Sequence, residues 1–136
     1  MKKSGILHGD LSKIIAELEH FDTILIGDAG MPCPPGVKWI DLAVCEGVLF
    51  FFDVLDAVLG ELEVQRGVIS SEMAGASPNA FIRVQDLIDD QFPLDAVPHE
   101  ELKALSKSCK AQIRTGECIP YCNILLEGSL DRKSVV

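Results

Sequence analysis

Positive charge is scarce in this sequence: 12 Lys and Arg stand against 21 Asp and Glu, for a formal net charge of −9. The basic stretches Met1-Lys2-Lys3 and Asp131-Arg132-Lys133 are short and terminal. Non-specific affinity for nucleic acid comes mostly from neutralising phosphates, so no nucleic-acid partner is expected. Long apolar runs are missing too. The strongest, Val48-Leu49-Phe50-Phe51-Phe52, meets Asp53 and Asp56 at once, far short of the roughly 20 residues a membrane span needs. Lys2 and Lys3 resemble the opening of a secretory leader, but the apolar stretch fails at His8-Gly9-Asp10, so a cytoplasmic location is expected. No internal repeat or low-complexity block appears.

Paired cysteines are lacking. Cys33, Cys45, Cys109, Cys118 and Cys122 are odd in number and unevenly spread, unlike a disulfide framework. Cys118 and Cys122 lie four apart, but no second Cys or His pair follows at zinc spacing, so inert thiols are favoured over metal ligands. There is no Gly-x-Gly-x-x-Gly, Walker loop, Gly-x-Ser-x-Gly elbow or His-Glu-x-x-His helix. Any chemistry must run on plain side chains, with no cofactor and no metal expected.

What is present suits one domain over residues 1–136: the chain is 48% hydrophobic and 24% charged. Asp10 is expected to cap a helix burying Leu11, Ile14, Ile15 and Leu18 and ending near Glu19-His20. Thr23 to Gly27 reads as a buried strand with Asp28 at its carboxyl end, and a Pro- and Gly-rich loop follows to Gly36. Val37 to Val44 is a second strand, Leu49 to Leu62 an amphipathic helix, and Glu63 to Ile69 a third strand. Pro78 and Pro98 each open a helix, the first running to about Asp90 and the second turning Leu102 and Leu105 inward. Ala111 to Thr115 and Tyr121 to Leu126 read as closing strands on either side of Gly116-Glu117, and a tail is expected from 130 to 136. Strands alternating with helices predict an α/β domain with helices packed on a central mixed sheet. Ligands in such folds sit beyond the carboxyl ends of strands, where Asp28 stands.

Three histidines are available. His20 follows a helix C-terminus, where the dipole favours a cation; a general acid and a surface cap both fit. His99 opens a helix, where the dipole opposes protonation, and a neutral imidazole there can orient a hydroxyl as donor and acceptor together. An exposed first-turn residue fits as well. His8 reads as structural. Asp28 is either solvated or a ligand-orienting carboxylate. Tyr121 and Asn123, alternating along an expected strand, offer either a sugar-binding surface or packing, with Cys122 on the other side.

Several stretches together resemble the D-ribose pyranase and L-fucose mutarotase family: His20-Phe21-Asp22-Thr23, Asp28-Ala29-Gly30-Met31-Pro32, Ile40-Asp41-Leu42-Ala43 and, most specifically, Arg114-Thr115-Gly116-Glu117-Cys118-Ile119-Pro120-Tyr121-Cys122-Asn123-Ile124. Their order covers the chain from Lys2 to Gly128, and the Asp-Ala-Gly-x-Pro and Gly-Glu-Cys-x-Pro-Tyr forms resemble the ribose branch. The resemblance implies interconversion of ring forms of free D-ribose, with His20 as proton donor and sugar contacts from Asp28, His99 and the segment Tyr121-Cys122-Asn123. It implies no cofactor and a homo-oligomer, commonly a decamer, with sites near subunit boundaries. Phe21 and Trp39 depart from the family's usual residues, and 73–90 matches no family pattern. The rival readings are a mutarotase for L-fucose or another monosaccharide, a non-catalytic sugar-binding accessory of ribose uptake, and a metal-dependent isomerase using His20, Asp28 and His99 as ligands.

Overall fold

The computed structural model describes residues 1–130; apart from Leu130, the expected tail lies outside the described residues. Helix α1 (Gly9–Glu17) is capped by His8, whose Nδ1 accepts the Leu11 N–H at 3.2 Å. Asp10, expected as the cap, sits inside the first turn instead, where the helix dipole still favours its charge. Strand β1 (Thr23–Gly27) lies where the β-branched run predicts it, and β2 (Lys38–Asp41) is the centre of its longer expected segment. Helix α2 (Phe51–Leu59) buries Phe51, Phe52, Val54, Leu55 and Val58 and stops at Gly60. Strand β3 (Val64–Ser70) leads into a short helix, α3 (Met73–Ala76). Helix α4 (Pro78–Ile88) begins on its proline and ends at Asp89, in the left-handed region with φ 47°.

Strand β4 (Leu94–Val97) was not foreseen. Helix α5 (His99–Ser106) follows it, and β5 (Ala111–Arg114) and β6 (Ile124–Gly128) complete the sheet. Two expectations need correction here. Leu105 is exposed; Ser106, four residues after Leu102, takes the inward position that helical spacing allots. The last strand begins at Ile124, because Tyr121 adopts a left-handed φ of 60° that ends any extended run before it.

The six strands run in the order β2-β5-β1-β6-β3-β4. β1, β2 and β5 are mutually parallel, β3 parallels β4, and β6 runs antiparallel to both β1 and β3. Five strands therefore point one way and β6 alone points back. Both faces are covered, which explains the nearly unbroken apolar runs. Ile24, Ile26, Ile113, Ile124 and Leu126 face α2 and α4 in the larger core. Leu25, Val68 and Leu125 turn to the other side, against Met31 and Leu102 of α5.

Candidate functional site

Strand direction decides which residues can meet. The carboxyl ends of β1, β3, β4 and β5 and the amino end of β6 share one edge of the sheet. Asp28, Glu72, His99, the 114–117 turn and Tyr121-Cys122-Asn123 all belong to that edge. His20, just before β1, belongs to the opposite one. β1 has five residues, so at about 3.3 Å per residue the strand alone separates His20 from Asp28 by ~17 Å. Within one chain the structure thus gathers Asp28, His99, Tyr121, Cys122 and Asn123 and leaves His20 apart. The three ligands of a supposed metal site fall on two edges.

Asp28 is tightly held. Its backbone N–H donates to Asn123 Oδ1 at 2.9 Å, Asn123 Nδ2 donates to its Oδ2 at 3.4 Å, and Gly30 N–H donates to its Oδ1 at 3.0 Å. Gly27 makes the first contact possible, since a Cβ there would stand 3.0 Å from Asn123 Oδ1. Burial raises the Asp28 carboxyl above its ordinary pKa, against hydrogen bonds from Gly30, Asn123, Met31 and Cys122 that work to lower it.

The turn after β5 fastens the same loop. Thr115 donates through both N–H and Oγ1 to Gly27 O, at 3.0 and 2.8 Å, and Ala29 N–H donates to Glu117 O at 2.8 Å. Arg114 Nε donates to Ala29 O at 3.0 Å while Nη1 pairs with Asp41 at 3.2 Å. Gly116 lies so close to Val48 O and Cys45 O that a Cβ would come within 2.5 and 2.7 Å of them. The motif residues Arg114 to Glu117 therefore act as the brace beneath Asp28.

His99 stands edge-on to Tyr121, with ring centroids 5.1 Å apart and planes at 83°. Its Nδ1 is buried with no hydrogen-bond partner among the described residues. A buried polar atom left in this state is costly unless a ligand or water meets it. Ser77 Oγ donates to Pro120 O at 3.0 Å and steadies the turn that carries Tyr121. Cys122 is fully buried, and desolvation, with Glu117 and Asp28 nearby, pushes its thiol well above the ordinary value. An inert thiol is the result, so Cys122 itself can offer a ligand only backbone groups.

At the other edge His20 is exposed, and its Nδ1 accepts the Leu130 N–H at 3.3 Å. The accepting nitrogen cannot carry the proton, which directs Nε2–H outward as the available donor. Phe21 packs on the imidazole at a centroid distance of 4.0 Å and is itself 66% exposed.

Glu72 was missed in the sequence. Its carboxylate accepts the His99 N–H at 3.1 and 3.2 Å and the hydroxyls of Ser70 and Ser71 at 3.2 and 2.9 Å. Burial works to raise this carboxyl, but those bonds outweigh it and hold the group below its ordinary value. The available signal is a Ser-Ser-Glu run at the carboxyl end of β3.

Comparison with known proteins bears on the family and the fold. Residues 1–130 match the RbsD / FucU transport protein family. The chain is 50% identical to a D-ribose pyranase of Pseudomonas syringae pv. tomato over 93% of its own length and 96% of the relative's. It is 45% identical to a D-ribose pyranase of Lactiplantibacillus plantarum, covering 96% and 98%. Bacillus subtilis RbsD, solved in complex with D-ribose, superposes with a TM-score of 0.92 at 38% identity, covering 96% of this chain and 98% of that one. The fucose mutarotase of Streptococcus pneumoniae, solved with L-fucose, shares the fold at a TM-score of 0.78 and 23% identity, covering 96% and 99%. A near-complete match to the family pattern, joined to these full-length likenesses, places the chain in the RbsD / FucU family.

Proposed function

We propose that this protein is an isomerase that interconverts the pyranose and furanose forms of free D-ribose. The observation that carries the reading is the gathering of Asp28, His99, Tyr121 and Asn123 at one sheet edge, in a chain half identical to a D-ribose pyranase. Ring opening breaks the bond between the anomeric carbon and the ring oxygen. The ring oxygen gains a proton, the anomeric hydroxyl loses one, and another hydroxyl of the open-chain aldehyde then closes the new ring. Positioned proton transfer contributes about 10²–10⁴-fold to such a step. The reaction consumes no electrons and needs no covalent enzyme intermediate.

In this reading Asp28, His99 and Tyr121 bind and orient the sugar, with the buried Asn123 holding Asp28 in place and the buried Nδ1 of His99 finding its missing partner in a hydroxyl. The Cys122 segment contributes backbone contacts. His20 donates the proton, and it reaches the sugar from a neighbouring protomer, because its own Asp28 lies at the far end of β1. A homo-oligomer is therefore part of the proposal, with a decamer as the expected state and the cytoplasm as its location. Supporting it, Phe21 beside His20 is exposed, as are Leu7, Val44, Val48, Leu49 and Phe50. Ile6, Leu7, Leu11, Leu42, Leu49 and Val54 line an apolar groove. With Phe21 on the His20 edge and Val44, Val48 and Leu49 beside the 114–117 turn on the Asp28 edge, exposed apolar surface at both ends of the sheet fits an interface that brings opposite edges of neighbouring protomers together.

The test is saturation transfer between pyranose and furanose signals of ribose by NMR, with L-fucose run alongside. Faster exchange on ribose than on fucose is expected. Faster exchange on fucose, with ribose at its spontaneous rate, overturns the substrate assignment.

A further inference from the structure

Helix α5 has a defect at its first residue. Its cap is Pro98, which offers no side-chain acceptor, so the N–H of His99 has no local partner. The acceptor arrives from another element. Glu72, just past the end of β3, receives that N–H on both carboxylate oxygens, at 3.1 and 3.2 Å. The carboxylate is not free to swing. Ser70 Oγ and Ser71 Oγ both donate to its Oε1, Ser70 is fully buried, and Ser71 N–H continues the ladder to Val97 O at 2.7 Å. A negative group at a helix N-terminus is also favoured by the dipole.

We propose that Glu72 is a positioning residue: by gripping the backbone of His99 it sets where the imidazole stands against bound ribose. The inference rests on the reading of His99 as a sugar-binding group. An ordinary helix cap could sit on any first-turn N–H. This one holds the very residue whose ring meets Tyr121 edge-on and whose Nδ1 is buried without a partner among the described residues. Glu72 thereby ties the end of β3, which lies between β6, entered just after Asn123, and β4, which leads into His99, to the ring that faces the sugar. A small displacement of a binding group costs affinity without touching the proton donor, which belongs to the opposite edge. Glu72 should therefore act on saturation by ribose and much less on the maximal exchange rate.

The experiment compares wild type with Glu72→Ala, Glu72→Gln and His99→Ala, all as the assembled protein. With three histidines in the chain, ¹⁵N-histidine labelling resolves the His99 ring directly. Glu72→Ala is expected to shift the His99 ring resonances and to raise the ribose concentration for half-saturation about tenfold, with the maximal exchange rate largely kept. Glu72→Gln, whose amide carbonyl still accepts the His99 N–H, should recover most of both effects. A lower melting temperature for Glu72→Ala, with unmoved His99 ring signals and unchanged half-saturation, would reduce Glu72 to a helix cap and overturn the proposal. If His99→Ala binds ribose like wild type, the sugar-binding reading of His99 fails. Displaced ring signals in Glu72→Ala still uphold the positioning in that case.

Discussion

Asn123 holds Asp28 at two points: its Oδ1 accepts the Asp28 backbone N–H at 2.9 Å and its Nδ2 reaches the Asp28 carboxylate at 3.4 Å. Asn123 is fully buried, and it links the start of β6 to the end of β1. Replacing it with alanine leaves the Asp28 N–H without its acceptor and releases the carboxylate. Asn123→Ala is expected to lose about 1–3 kcal/mol of stability and to weaken ribose binding as well. Denaturant unfolding and saturation of ring exchange measure the two effects separately; an unchanged midpoint would show that the pair is not a structural link.

On the proposed reading the two histidines divide the work. His20→Ala should slow exchange by roughly 10²-fold or more while ribose affinity stays close to wild type. His99→Ala should weaken ribose binding by about 1–3 kcal/mol, since a sugar hydroxyl and the ring lose each other. Exchange rate and affinity measured separately on each variant decide the matter. Wild-type exchange by His20→Ala would move the role of acid to His99.

Asp28 gives a pH signature. Its folded pKa is raised, chiefly by burial, so the folded chain holds this proton more tightly than the unfolded chain does. Ionising Asp28 then favours unfolding, and its contribution to stability falls as pH rises from the ordinary carboxyl value through the folded one. Asp28→Asn removes that slope. The melting temperature of the variant relative to wild type should therefore climb across this acidic window and level off above it, while ribose binding drops. A constant offset at all pH values would argue against a raised pKa.

Much of the fold was legible because it is written in local patterns. β1 is a β-branched run buried on both faces, α2 shows a clear apolar face, and α4 starts on a proline. β4 left no comparable trace: it is a four-residue edge strand, half-buried at Leu94 and Val97 and exposed at Asp95 and Ala96. Tyr121 reads as a strand residue because nothing in a Tyr-Cys-Asn run announces a left-handed φ of 60°. His8 is structural and caps α1, where a sequence pattern favours Asp10, the commoner cap type. Within the site, Asp28 and His99 were legible from their places at element ends. Glu72 was not, because its importance lies in a contact with a residue 27 positions away. The separation of His20 from Asp28 follows from strand direction, which local patterns do not carry.

Gly116 tests the brace under the site. A Cβ at this position would collide with two backbone carbonyls, Val48 O and Cys45 O, neither of which can rotate aside. Its N–H also donates to Leu49 O at 2.6 Å, and its carbonyl accepts from Gly47 N–H. Gly116→Ala is expected to cost about 1–3 kcal/mol through overpacking and to reduce ribose exchange by loosening the loop that carries Asp28. Thermal unfolding and exchange on the same sample check both; wild-type values in each would show that the 45–49 segment yields freely.

On the proposed reading, ribose ring exchange runs in a site divided between protomers, His20 coming from one and His99 with Asp28 from its neighbour. Mixing His20→Ala and His99→Ala chains, unfolding them together and refolding them tests it most directly. Each parent oligomer is impaired at every site, but random assembly places an intact His20 opposite an intact His99 at about a quarter of the sites. The mixture is expected to exchange ribose well above the average of the two parents, as read by saturation transfer. A mixture no faster than that average would contradict it.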